Sequence, residues 1–221
     1  MAVGFRILPR GRKVGPEVVD RFRALPVANV SDVMARMTAG GPRLRPMHAG
    51  GGLAGPALTV KTRPGDNLMI HKAIALAEPG DVIVVDAGGD LTNALIGELM
   101  LAQMVKRGLG GIVLNGAIRD SAGIRAQGFP VFAAGVTHRG PYKDGPGEIN
   151  VPVSVGGMVV NPGDIVVGDQ DGLMAFAPAE AEALIAKARA HLEVEANTMR
   201  AMKEGRWDRS FIDALEARCA N

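Results

Sequence analysis

The stretch Gly97-Glu98-Leu99-Met100-Leu101-Ala102-Gln103-Met104-Val105-Lys106-Arg107-Gly108, followed by Ile112-Val113-Leu114 and then by Gly116-Ala117-Ile118-Arg119-Asp120, decides how this chain reads. A helix over about 97–107 closes on Lys106, Arg107 and Gly108, with basic side chains and a glycine where a helix C-terminus favours them. The apolar run Ile112–Leu114 then reads as a buried strand, and the Arg119-Asp120 pair falls where the chain turns. A helix feeding a buried strand places the segment in an α/β arrangement.

The pattern extends outward on both sides. Residues 16–37 read as helical with a break at Pro26, and Ser31-Asp32 is expected at the start of the second piece, where a capping oxygen is favoured. Ala57–Thr62 alternates like a strand and stops at Pro64-Gly65-Asp66-Asn67. A helix over about Met69–Ala77 ends at Pro79-Gly80, and Val82-Ile83-Val84-Val85 reads as another buried strand. Beyond Asp120 a helix runs to about Gln127, then a short strand at Phe129–Phe132 and a polar, glycine-rich loop from His138 to Gly147. Val151–Val155, Met158–Val160, Asp164–Val167 and Leu173–Phe176 are short strands separated by turn residues, which suggests a β meander. Pro178 opens a helix to about Glu204, whose apolar stripe (Leu184, Ile185, Ala188, Leu192, Met199) is expected to be covered by a neighbouring subunit. The organisation is one domain over 1–221: a helical segment at 16–37, a core over about 50–177 and a helical extension at 178–221.

Composition narrows the function classes. The 221 residues suffice for one core, and a net charge of +2 with interspersed signs lacks the concentrated basic face that nucleic-acid binding needs. No apolar run reaches the ~20 residues of a membrane span, and Met1–Lys13 is basic without the apolar stretch of a signal peptide. The single cysteine, Cys219, excludes an internal disulfide, and a cytoplasmic location is expected. His48, His71, His138 and His191 are scattered, so a histidine-bound metal is not expected.

Several motifs have two readings. Asp86-Ala87-Gly88-Gly89 could belong to a nucleotide or S-adenosylmethionine site, but it lacks the G-x-G-x-x-G pattern and reads better as a tight strand-exit turn. Asp169-Gln170-Asp171-Gly172 has a calcium-like form without the remaining ligands and reads as a turn. Arg119-Asp120 is either a surface ion pair worth about 0–1 kcal/mol, or a carboxylate for a hard divalent cation beside a guanidinium for a keto-acid oxygen. Gly97-Glu98 begins a helix whose first free amides, on Leu99 and Met100, could hold a carboxylate. Glu98 would then be an acid/base or outer metal group, or simply a favourable acid in the first turn.

In order along the chain, Val30-Ser31-Asp32-Val33-Met34, Arg45-Pro46-Met47-His48-Ala49-Gly50, Gly65-Asp66-Asn67, Pro79-Gly80-Asp81-Val82, Gly97-Glu98-Leu99, Gly116-Ala117-Ile118-Arg119-Asp120, Asn150-Val151-Pro152-Val153, Pro162-Gly163-Asp164 and Asp169-Gln170-Asp171-Gly172 resemble the RraA-like superfamily. Within it they resemble the 4-hydroxy-4-methyl-2-oxoglutarate/4-carboxy-4-hydroxy-2-oxoadipate aldolases, whose signature is an acid, twenty residues, then Arg-Asp. That resemblance implies a swivelling β/β/α-type α/β domain with a long C-terminal helix. It implies a class II pyruvate aldolase that also decarboxylates oxaloacetate and uses Mg2+ or Mn2+. Asp120 would ligate the metal, Arg119 the substrate's keto or hydroxyl oxygen, and the Leu99 and Met100 amides beside Gly97 the pyruvyl carboxylate. Glu98, standing where aspartate is common, would position a water. Asp32 and Glu195 match acids presented across a subunit interface, which implies a trimer or hexamer. The superfamily also contains a non-catalytic inhibitor of ribonuclease E, and a protein-binding regulator is the competing reading. Asn115, where aldolases more often carry an aspartate, is a second departure.

Overall fold

The computed structural model describes residues 4–219. In chain order the elements are β1 (Phe5–Ile7), α1 (Pro16–Arg23), α2 (Val27–Val33), β2 (Arg45–Pro46), β3 (Leu53–Thr62), α3 (Leu68–Leu76), β4 (Val82–Asp86), β5 (Ala94–Ile96), α4 (Glu98–Lys106), β6 (Gly111–Ile118) and α5 (Ser121–Gln127). They continue with β7 (Val131–Val136), β8 (Gly147–Ile149), β9 (Val153–Val155), β10 (Met158–Val160), β11 (Ile165–Gly168), β12 (Leu173–Phe176), α6 (Ala181–Lys203) and α7 (Ser210–Cys219).

The largest sheet runs β1-β8-β3-β4-β6-β7-β2, with β11 and β12 joined through β3, and β5 joined to β6. Its centre, β3-β4-β6-β7, is parallel, and α3, α4 and α5 make the successive connections. A parallel centre of this kind is buried on both faces, and β4 shows how. Ile83 and Val85 face one core with Met69, Ile70, Leu101, Met104 and Ile124 of α3–α5. Val82 and Val84 face the other, with Val19, Phe22 and Val30 of α1–α2, the strands β9–β12, and Leu184 and Ile185 of α6. The result is a mixed α/β fold in layers with a long C-terminal helix.

Beyond short elements that were not expected, such as β1, β2, β5, β8 and α7, four further details differ from the sequence expectation. Ser31 and Asp32 lie near the end of α2, because Pro26 already fixes the start of that helix one turn earlier. The last strands are not a plain meander: β9 and β10 form their own hairpin, while β11 bridges β12 and β3. The stretch from Pro178 begins as a 3-10 turn over Pro178–Glu180 before α6. The apolar stripe of α6 is largely covered by its own chain, with Leu184, Ile185 and Ala188 buried, whereas Met199 and, further on, Trp207 and Phe211 are exposed. Among the described residues no helix is long and apolar enough to cross a membrane.

Candidate active site at the strand ends

The carboxyl ends of parallel strands are where open α/β sheets form ligand crevices. Here β5 lies beside the end of β6, the Arg119 amide bonds the Ile96 carbonyl at 3.0 Å, and Gly97 leads directly into α4. The Arg119-Asp120 turn is thereby brought against the first residues of α4, across twenty-odd residues of sequence.

Three glycines make that approach close enough. A side-chain carbon on Gly97 would overlap the Asp120 carboxylate and lie 3.1 Å from Arg119 Cγ and Nε. One on Gly116 would lie 2.6 Å from Leu95. One on Gly123, in the first turn of α5, would overlap the Glu98 carboxylate. Gly123 was not singled out by the sequence patterns, although a glycine inside a short helix costs about 0.5–1 kcal/mol and so hints at a packing reason.

Asp120 sits at φ 53° in the left-handed region, an uncommon conformation for a non-glycine residue that often accompanies function. It precedes α5, yet its side chain does not cap that helix. Instead Oδ2 accepts the Glu98 amide at 3.1 Å, at the start of α4. Glu98 returns the arrangement by resting on the first turn of α5, so each acid occupies the neighbouring helix's positive end. Arg119 Nε stands 3.7 Å from Asp120 Oδ2, and both side chains are about two-fifths exposed, which leaves them available to a ligand.

Next to this pair is a small cleft lined by Asn67, His71, Gly97, Leu99, Met100, Arg119 and Lys143, among others. The Leu101 amide bonds Gly97's carbonyl, and among the described residues no acceptor is assigned to the Leu99 or Met100 amide. Asn67 is nearly fully buried and donates to the Leu95 carbonyl at 2.9 Å, while its Oδ1 has no partner. Buried orphan acceptors are costly, and this one is suited to a ligand hydroxyl or a water. Desolvation, and secondarily the Lys143 ammonium, push the His71 imidazole below its ordinary value. Sequence patterns marked Asn67 only as part of the Gly65-Asp66-Asn67 turn and gave it no role, and His71, a lone polar residue in a helical segment, carries no motif.

The loop over 138–147 that carries Lys143 is held from below by Asp66. Its wholly buried carboxylate accepts the Leu68 amide at 2.9 Å and the Asp144 and Gly145 amides at 2.8 Å.

Asp32 and Glu195 are not at this cleft. Asp32 on α2 and Glu195 on α6 belong to the opposite layer, where they meet each other and His191 within one chain. Sequence spacing among the histidines did not reveal this cluster, because His191 and Glu195 are one helical turn apart and the third member comes from α2.

A crevice at parallel strand ends that gathers helix-start amides, a guanidinium and exposed carboxylates is a candidate small-ligand site of an α/β protein. The chain belongs to the RraA-like family (Aldolase/RraA), whose sequence profile matches residues 27–175. A Halalkalibacterium halodurans relative named "Putative 4-hydroxy-4-methyl-2-oxoglutarate aldolase" is 39% identical over 173 residues, covering 78% of this chain and 82% of that protein. The crystal structure of RraAS2 from Streptomyces coelicolor, described as an unusual member of the RNase ES inhibitor RraA protein family, matches at 25% identity and a TM-score of 0.77 over 86% of this chain and 98% of that one. An uncharacterized protein from Pseudomonas syringae pv. tomato shares the fold, with a TM-score of 0.78 at 23% identity over 88% of this chain and 96% of the other.

Proposed function

We propose that the protein is a carbon–carbon lyase: a divalent-metal-dependent pyruvate aldolase acting on a 4-hydroxy-2-oxo di- or tricarboxylic acid, with oxaloacetate decarboxylase activity. The observation that carries this reading is the Asp120 carboxylate turned away from its own helix toward the N-terminus of α4, beside Arg119 and the first amides of that helix, on Leu99 and Met100. The name of the Halalkalibacterium halodurans relative supports it.

The residues fit a hard cation. Asp120 offers one exposed carboxylate with one oxygen steadied by an amide, which suits Mg2+ or Mn2+, ions that keep several waters and take few protein ligands. Bound there, the ion would supply Lewis-acid polarisation of the keto oxygen.

The chain's own groups would do the rest. The Leu99 and Met100 amides hold the C1 carboxylate at the positive end of α4. The Arg119 guanidinium donates to the C2 oxygen, where negative charge develops as the C3–C4 bond breaks and its electron pair moves to C3. In aldol cleavage the C4 hydroxyl must lose its proton as C4 becomes a carbonyl, and Glu98 would accept it through a water. The resulting enolate is protonated at C3 to give pyruvate. Decarboxylation of oxaloacetate passes through the same enolate without a hydroxyl proton to remove, so it depends less on Glu98.

The test is pyruvate release from 4-hydroxy-4-methyl-2-oxoglutarate, 4-carboxy-4-hydroxy-2-oxoadipate and oxaloacetate, after chelation and with Mg2+ restored. Metal-dependent release is expected, with Arg119→Ala and Asp120→Asn both losing at least 100-fold while remaining folded. Full turnover by either variant would refute the site.

A second reading, a non-catalytic regulator of ribonuclease activity, is favoured by the description of the Streptomyces coelicolor relative. It predicts no pyruvate from any of the three acids and inhibition of a ribonuclease E-type enzyme. We further propose a cytoplasmic trimer or hexamer, supported by the exposed apolar side chains Val194, Met199, Trp207 and Phe211 along α6 and beyond it.

A further inference from the structure

We infer that Gly123 is a positioning residue for Glu98, and that this matched pair sets how the site divides its turnover between aldol cleavage and decarboxylation. The inference rests on the proposed lyase reading. Gly123 lies in the first turn of α5, and the Glu98 side chain lies folded against it. A side-chain carbon at 123 would overlap the Glu98 carboxylate and stand 2.9 Å from Glu98 Cγ, and the three atoms nearest to it all belong to Glu98.

The backbone at 123 does not itself call for glycine. It is helical and has no positive φ, and in a helix interior alanine is favoured over glycine. Room for Glu98 is the demand the structure makes on this position. Neither helix can retreat to supply that room in another way. Ile124, the next residue of α5, is wholly buried in the same core as Leu101 and Met104 of α4, and its amide bonds the Asp120 carbonyl at 3.0 Å. A group added at 123 is therefore absorbed by the exposed Glu98 side chain, which swings away from α5.

Glutamate carries two methylenes. Laid against α5, it brings its carboxylate back beside the turn that begins at Asp120 instead of extending into solvent. From there it takes, through a water, the proton that leaves the C4 hydroxyl as the C3–C4 bond breaks, the C4 carbonyl forms and the bonding pair passes to C3. Decarboxylation of oxaloacetate has no hydroxyl proton to remove. Glycine at 123 thus serves the aldol reaction and leaves decarboxylation almost untouched.

The test compares wild type, Gly123→Ala, Glu98→Asp and the double variant, each with Mg2+, on 4-hydroxy-4-methyl-2-oxoglutarate and on oxaloacetate. Gly123→Ala should lower kcat for aldol cleavage about 10-fold or more and change decarboxylation less than about threefold. Its Tm should be unchanged or higher, because alanine favours the helix, and in crystals its Glu98 carboxylate should stand away from α5. Aspartate is one methylene shorter and stays clear of the added methyl, so on the Glu98→Asp background Gly123→Ala should cost less than about threefold. Undiminished aldol cleavage by Gly123→Ala, an equal loss on both backgrounds, a parallel loss of decarboxylation, or an unmoved Glu98 in crystals would overturn the inference, while pyruvate from the wild type keeps the lyase reading standing. A folded wild type that yields no pyruvate from either acid would instead overturn that reading, and this inference with it.

Discussion

Replacing Gly97 by alanine tests whether the close approach of α4 to the Arg119-Asp120 turn matters for chemistry rather than folding. Gly97 has extended backbone angles, φ −146° and ψ −167°, which alanine adopts without strain. The added carbon instead meets the Asp120 carboxylate and the Arg119 side chain. Both of these are about two-fifths exposed and can swing outward, so the loss of stability should stay near that of one exposed charged hydrogen bond, about 1.5–2 kcal/mol, or about 3–8 °C in Tm at this chain length. Swinging outward breaks the Glu98 amide bond to Asp120. A hydrogen bond to a charged group contributes about 1.5–3 kcal/mol, and exposure favours the lower end. Activity that depends on this carboxylate's position should therefore fall about 10- to 30-fold. The assay is Mg2+-dependent pyruvate release beside a thermal melt. Wild-type kcat and KM would refute the geometric argument, and so would a Tm loss above about 10 °C, since the defect would then be structural.

Asp66→Ala should have the opposite profile, because it strands the Leu68, Asp144 and Gly145 amides that the buried carboxylate serves. A loss of about 3–5 kcal/mol is expected, lowering Tm by about 10 °C, and a Tm within 2 °C of wild type would contradict it. His71 has a folded value below its ordinary 6.5, so below about pH 6.5 the unfolded chain holds more protons there. The stability from this group is therefore complete above pH 6.5 and declines as the pH falls through the window beneath it. An NMR titration of His71 should show a midpoint below 6.5 that Lys143→Met raises in part; an unmoved midpoint would remove Lys143 as a cause. Phe211→Glu, on an exposed aromatic beside Trp207, should reduce the assembly seen by sedimentation velocity, and an unchanged distribution would exclude this face from the contact.

The parallel centre of the sheet was legible because Val82–Val85 and Ile112–Leu114 are continuous apolar runs between helices with ordinary caps and stops. The ends of the chain were less so. β11 pairs with β3 across more than a hundred residues, and no local pattern encodes such a partner. Arg119, Asp120, Glu98 and the α4 amides could be found because a motif and a helix start mark them. The roles of Asn67 and His71 could not, since what distinguishes them is a missing partner and a charged neighbour, both products of folding. The cluster of His191 with Asp32 escaped for the same reason: half of it is a helical repeat, and the other half comes from a helix some 160 residues earlier.

Asp66 grips the segment over 138–147 only through backbone amides, at Asp144 and Gly145. Main-chain anchorage is indifferent to side-chain identity, so the path of this loop is uncoupled from its composition. Positions such as Arg139, Pro141 and Lys143 can be exchanged without moving the floor on which the keto-acid end would rest. Under the proposed function, such a scaffold would separate two heritable traits, what is cleaved and how. A library randomised at those three positions, with Asp66 kept, would be a direct route to relatives that accept acids of different length and charge.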